Sequence, residues 1–133
     1  MITFVDTSAL YALLDEDDRR YQAAKDAWEN LLREQATLVT TNYVFLETFV
    51  LLQRRFGLAI AREFAKTFAP LLQMEWVDQS IHEDAVSAVL TANRRGLSII
   101  DCVSFAVMRN RNIWRAFTMD AHFREQGFEC LPE

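Results

Sequence analysis

Short apolar runs with β character alternate with helix-period segments along the whole chain, and few folds accept that alternation. Residues 2–6 (ITFVD), 37–41 (TLVTT), 74–78 (MEWVD), 115–119 (RAFTM) and 128–131 (FECL) read as strands. The segments between them read as helices. Thr7 or Ser8 caps a short one that runs to Leu14. A second, roughly 18–35, sets Ala24, Trp28, Leu31 and Leu32 on one face. Thr41 or Asn42 caps a third, which Gly57 stops after Phe56. Ile60, Phe64, Phe68 and Leu72 mark a fourth, ended or kinked by Pro70. Ile81, Ala85, Ala88, Val89 and Ala92 line a fifth that Gly96 stops. A sixth spans about 99–111, and a short seventh near 121–126 is stopped by Gly127. Such a chain predicts a parallel sheet of about five strands with helices on both faces. Ligands of such sheets bind beyond the carboxyl ends of the strands, where the strand order switches.

Four acidic residues end or interrupt this apolar framework. Asp6 closes ITFVD, Glu47 stands inside VFLETFVLL, Asp101 follows LSII, and Asp120 closes AFTM. Each has a local explanation. Asp6 and Asp120 suit Asx turns at strand ends, Asp101 suits a capping box opened by Ser98, and Glu47 suits a polar helix stripe. That stripe is hard to find, because the helical neighbours of Glu47 are Tyr43, Val44, Val50 and Leu51. Jointly, four carboxylates at apolar positions point to one acidic pocket, since a buried carboxylate needs a partner or a metal. Two carboxylates ~5 Å apart at an effective dielectric of ~20 repel by about 3 kcal/mol. A pocket of four therefore calls for a cation, and an all-oxygen donor set selects a hard one, Mg2+ or Mn2+. Such an ion coordinates phosphate oxygens. The chemistry it suggests is hydrolysis of a phosphodiester by water, with no cysteine or serine–histidine nucleophile.

At 133 residues, half of them apolar, the chain suits a single domain over 1–133 with one core. No stretch approaches the ~18 apolar residues of a membrane span, and the N-terminus lacks the features of a signal peptide. Cys102 and Cys130 have no metal-ligand spacing and read as reduced thiols of a cytoplasmic protein. All three glycines fall at helix ends, which leaves phosphate-loop and dinucleotide-binding readings without support. The net charge of −5 speaks weakly against a nucleic-acid partner, but the distribution softens that. From Arg94 to Arg124 there are six arginines, and Asp101 and Asp120 are the only acids. A basic third of the chain around an acidic centre suits a phosphate polymer plus a metal. The acids of Asp15–Asp18 read as charges complementing the start of the second helix. His82 reads as solvated; His122, two residues after Asp120, falls near the candidate site but reads as a packing or surface side chain.

The ordered set FVDTSAL, TNYVFLETFVLLQRRFG, LSIIDCVSFAVMRN and FTMDAHFREQGFECL resembles the PIN domain, especially the VapC-type toxin ribonucleases, from one end of the chain to the other. The resemblance implies a three-layer α/β fold with a parallel central sheet, and a Mg2+- or Mn2+-dependent endoribonuclease. It sets Asp6, Glu47, Asp101 and Asp120 as the catalytic acids, with Asp6, Asp101 and Asp120 at the metal. Ser8 and Thr118 match hydroxyl positions beside the first and fourth acids. Ile99 and Ile100 depart from the more usual polar or aromatic residues before the third acid, which bears on substrate contacts. The family also implies an RNA substrate, a homodimer, and a cognate antitoxin whose tail occupies the acidic groove.

Phe45, Phe49, Phe56, Phe64 and Phe68 add to the expectation of a dimer, as more apolar side chains than one small core easily absorbs. Two other classes compete. One is a PIN-like module that holds RNA or a protein without cutting it. The other is an aspartyl phosphotransferase of the haloacid-dehalogenase type, to which FVDTSAL bears a faint likeness. That chemistry wants a second aspartate two residues after the first, where this chain has Ser8.

Overall fold

The computed structural model describes all of residues 1–133. Strands β1 (Ile2–Val5), β2 (Thr37–Thr41), β3 (Gln73–Glu75), β4 (Arg115–Phe117) and β5 (Glu129–Leu131) form one wholly parallel sheet in the order β3-β2-β1-β4-β5. Seven helices connect and cover it: α1 (Thr7–Leu14), α2 (Tyr21–Arg33), α3 (Asn42–Phe56), α4 (Leu58–Glu63), α5 (Gln79–Ala92), α6 (Ile99–Asn110) and α7 (Ala121–Glu125). Phe4 and Val5 of β1 point to opposite faces of the sheet, and neither retains any exposure. Both faces are therefore covered at the centre, as an all-parallel sheet requires.

The strand order places the site. From β1 the chain steps outward to β2 and β3, then returns across the sheet to β4 and β5 on the other side of β1. The order reverses between β1 and β4, and the crevice lies beyond their carboxyl ends. Asp6 follows β1 directly, and its backbone N–H donates to Phe117 O at 3.0 Å. Asp120 follows β4 by three residues. Aromatic packing fixes the helices on either side. Trp28 of α2 meets Phe117 and Phe68 at 6.0 and 5.8 Å, while Phe123 of α7 meets Phe105 and Phe4 at 4.9 and 6.4 Å.

Several local features differ from the sequence expectation. Helix α2 begins at Tyr21, and its first turn contains no acid. Asp15 and Asp18 instead accept backbone N–H bonds from Asp17 (3.1 Å) and Arg20 (2.7 Å), so these acids shape the loop rather than complement a helix end. The expected helix over 60–72 is composite. After α4 the path widens to a π-type turn at Phe64–Phe68 and tightens at Ala69–Leu71, where Pro70 has no N–H to continue the ladder. Asn93, at φ 50°, caps α5 instead of Gly96, and its N–H reaches Val89 O.

Four of the five phenylalanines offered as a surplus are absorbed, and Phe56 stays exposed. Phe64 is buried, Phe45 packs on it at 5.3 Å, and Phe49 and Phe68 pack against the core. The large apolar residues left exposed on α3 are Leu46, Val50, Leu51 and Phe56.

Candidate active site

Three of the four acids sit at helix starts, and each serves as a cap. Asp6 is the N-cap of α1, with Oδ2 accepting Ser8 N–H at 3.3 Å. Asp120 is the N-cap of α7, with Oδ1 accepting His122 N–H at 2.9 Å. Asp101 stands at the third position of α6 in a capping box: Ser98 Oγ accepts Asp101 N–H at 3.0 Å, and Asp101 Oδ2 accepts Ser98 N–H at 3.3 Å. The local reading and the pocket reading are thus both true. Helix N-termini carry partial positive charge, so one geometry turns α1, α6 and α7 toward one place and supports carboxylates there.

Hydroxyls hold the first acid still. Asp6 Oδ2 accepts from Ser8 Oγ at 2.6 Å and from Thr118 Oγ1 at 3.0 Å. Ser8 Oγ also accepts Met119 N–H (2.8 Å), and Thr118 Oγ1 accepts Asp120 N–H (3.0 Å). The β4–α7 turn is thereby tied to the start of α1, and Asp6 Oδ1 keeps no hydrogen-bond partner. A second hydroxyl pair escaped the sequence reading. Buried Thr48 donates to Thr7 Oγ1 at 3.0 Å, and Thr7 reaches Val44 O at 3.4 Å. It joins α1 to α3 beside Asp6 and Glu47. Thr48→Val is expected to cost about 1 kcal/mol, read from denaturant melting. No change in the midpoint would show that the hydroxyl bridge contributes nothing.

The electrostatics are those of crowded carboxylates. Burial, then the Asp120 charge, pushes Asp101 up to about 6; Asp6 adds to the rise, and Ser98 N–H and His122 oppose it. Burial also raises Asp6, against the hydrogen bonds from Ser8 and Thr118. The sign for stability follows. An acid whose folded value lies above its unfolded one favours folding at low pH, and that contribution is lost as pH rises through the folded value. For Asp101 the window runs from 3.8 to about 6. Metal-free protein is therefore expected to lose up to ~3 kcal/mol from this group across that window, given that one pKa unit is worth about 1.4 kcal/mol. Melting at pH 5 and pH 7.5 in chelator, for wild type and Asp101→Asn, isolates the term. Equal pH dependence in both proteins would contradict it.

His122 is the residue that sequence reasoning misplaced. Its Nδ1 is buried, 3.0 Å from Asp120 Oδ1 and 3.5 Å from Asp101 Oδ2, yet makes no hydrogen bond of acceptable geometry. One ligand atom from each of Asp101, Asp120 and His122 falls within 4.8 Å of the others. An orphaned ring nitrogen between two acids, one with a raised pKa, fits a divalent cation. It also changes the donor set from all-oxygen to oxygen plus one nitrogen. The only signal in the sequence was its position two residues after Asp120.

Glu47 lies on α3 and lines the same cleft of about 1000 Å3 as Asp6, Asp101 and Asp120. It is half-buried, not enclosed, because Val50 and Leu51 are themselves exposed. Four of the six arginines of 94–124 are engaged elsewhere. Arg94 pairs with Glu125 at 3.2 Å, Arg111 with Glu75 at 2.6 Å, and Arg115 with Glu34 and Thr3, while Arg109 covers the rings of Phe105 and Phe128. The arginines that line the cleft are Arg20, Arg54 and Arg55. Cys102 and Cys130 are buried and unpaired, and burial raises both thiols. No helix is long and apolar enough to cross a membrane.

Known proteins share this fold. The chain is 35% identical over 132 residues, 98% of each sequence, to the 23S rRNA-specific endonuclease VapC20 of Mycobacterium tuberculosis. It superposes on the crystal structure of VapC20, described as a sarcin–ricin loop cleaving toxin, with a TM-score of 0.84 at 34% identity over 96% of both chains. FitAcB from Neisseria gonorrhoeae shares the fold at a TM-score of 0.69 and 14% identity, over 98% of this chain and 96% of that one. The PIN-domain family model matches residues 3–129. With the parallel sheet, the switch-point crevice and its acids, the match is end to end: this chain belongs to the PIN-domain family.

Proposed function

We propose that this chain is a metal-dependent endoribonuclease, the toxin of a toxin–antitoxin pair, which cuts ribosomal RNA at a structured loop. The observation that carries the reading is the meeting of Asp6, Glu47, Asp101 and Asp120 in one cleft at the switch point, in a chain similar over its whole length to an rRNA endonuclease. Asp6, Asp101 and Asp120 would hold Mg2+ or Mn2+, and His122 would join them, since it clusters with Asp101 and Asp120. A divalent ion bound there supplies Lewis-acid stabilisation of the charge that builds on the phosphate. The chain's own residues do the rest. Ser8 and Thr118 hold Asp6 Oδ2 so that its other oxygen faces the cleft. Backbone N–H groups at the starts of α1 and α6 favour the charged forms of Asp6 and Asp101, against the burial that raises both. Glu47, on α3, accepts a proton from the attacking water.

Incubating the protein with a sarcin–ricin stem-loop RNA in Mg2+ or Mn2+ and mapping the ends tests this. A single internal cut is expected. Intact RNA alongside tight binding would favour the non-cutting module instead. The aspartyl phosphotransferase has no support in the cleft, where Ser8 Oγ is committed to Asp6 and Met119.

A reduced, cytoplasmic setting suits the two buried thiols and an rRNA target. Coexpression with the neighbouring reading frame would reveal a cognate antitoxin by its capture of this chain. A homodimer is expected on other grounds than the phenylalanines: Leu58, Leu71, Trp76 and Leu90 stay exposed outside the cleft. Sedimentation at micromolar concentration should give twice the monomer mass of 15.5 kDa.

A further inference from the structure

The cleft carries charges of both signs. Asp6, Asp101 and Asp120 line it, and so do Arg20, Arg54 and Arg55, with Arg54 about two helical turns beyond Glu47 toward the C-terminal end of α3. Helix α3 contributes to both. Glu47, Val50, Leu51 and Arg54 recur at three- and four-residue intervals, which makes one stripe, and all four line the cleft. Glu47 and Arg54 stand about 10.5 Å apart along the helix axis, more than one sugar–phosphate step.

The three arginines are not equivalent. Arg20 is neutralised by Asp18, its Nε 3.2 Å from Oδ1. Arg54 and Arg55 are exposed and form no ion pair. Arg55 is steadied where it is: its guanidinium lies 5.7 Å from the Phe56 ring, which stacks at 6.1 Å on Tyr11, another cleft residue. Two uncompensated cations sit at a fixed distance from an acidic centre, in a chain of net charge −5. A polyanion would be repelled by most of such a surface and attracted at that end of the cleft. Guanidinium groups also match phosphate geometry through paired N–H donors.

Resting on the ribonuclease reading, we propose that Arg54 and Arg55 bind a backbone phosphate flanking the scissile one, so that the RNA strand lies along α3. The strand then runs from the acids, where it is cut, to the C-terminal end of that helix. Val50 and Leu51 lie between and face its sugars and bases. This assigns to α3 the electrostatic role that the sequence suggested for residues 94–124, four of whose six arginines the fold uses elsewhere.

The test is kcat/KM for the stem-loop RNA in Mg2+ as a function of KCl, for wild type, Arg54→Gln/Arg55→Gln and Arg54→Lys/Arg55→Lys. Melting curves confirm that each is folded. The glutamine pair is expected to lower kcat/KM about ten-fold near 0.1 M salt. It should also reduce the salt slope by about 0.7, the value for one phosphate contact on a single strand. The lysine pair should keep the slope while recovering only part of the rate. If the glutamine pair cuts with the wild-type rate and slope, the phosphate contact is overturned, the ribonuclease reading stands, and this end of the cleft is left to an acidic protein segment. If the rate falls with the slope unchanged, the contact is likewise overturned. If wild type neither binds nor cuts RNA, the ribonuclease reading fails and takes the contact with it.

Discussion

Asp101→Asn is expected to lower RNA cleavage by on the order of 10³-fold, as expected for loss of a charge that acts in the transition state, while making the metal-free protein more stable. The two effects have one cause. Asn keeps the shape of Asp and keeps an oxygen to accept Ser98 N–H, so the capping box survives. What is lost is a charge that burial and Asp120 make costly, the same two causes that push Asp101 up to about 6. Removing it near neutral pH relieves up to ~3 kcal/mol in the absence of a cation. A purely structural acid behaves oppositely. Loss of a cap destabilises by ~0.5–2 kcal/mol and leaves the chemistry alone. Cleavage rates set beside melting curves in chelator therefore separate the roles. A destabilised variant that still cuts would identify Asp101 as a cap and nothing more.

Wild-type protein should also melt several degrees higher in Mg2+ or Mn2+ than in chelator, and Asp101→Asn should not. An ion that binds only the folded chain adds RT ln(1 + [L]/Kd), about 2.7 kcal/mol at a hundred times Kd. Here it also quenches the repulsion among Asp6, Asp101 and Asp120 that burial exaggerates. Mn2+ should shift the melt more than Mg2+ if the His122 ring nitrogen joins the ligands, because nitrogen donors favour the transition metal. His122→Ala should remove that preference. Identical shifts in wild type and Asp101→Asn would place the ion elsewhere.

The strand–helix alternation was legible because the strands are short runs between turn signals, and five of the seven helix starts carry a capping side chain. Thr41, Asp78 and Ser98 all cap as side-chain acceptors. The convergence of Asp6 and Asp120 was legible for a topological reason: both follow strands, and parallel strands deliver their carboxyl ends to one edge. What stayed hidden depended on tertiary contact. His122 looks like any surface histidine until α7 turns its ring between Asp101 and Asp120. Glu47 looked enclosed because its helical neighbours are apolar, but Val50 and Leu51 line an open cleft. The basic segment 94–124 misled because charge counted along the chain says nothing of pairing. Glu34, Glu75 and Glu125, distant in sequence, neutralise three of its arginines.

The most direct measurement is the single-turnover rate of stem-loop cleavage against Mn2+ concentration, for wild type and for Asp6→Asn, Glu47→Gln, Asp101→Asn and Asp120→Asn, each shown to be folded by its melting curve. The expected result is a rate that rises and saturates with Mn2+ in wild type, vanishes in chelator, and is all but absent in every amide variant. Cutting in chelator, or by the folded amide variants at the wild-type rate, would contradict the assignment of these four acids as the catalytic centre.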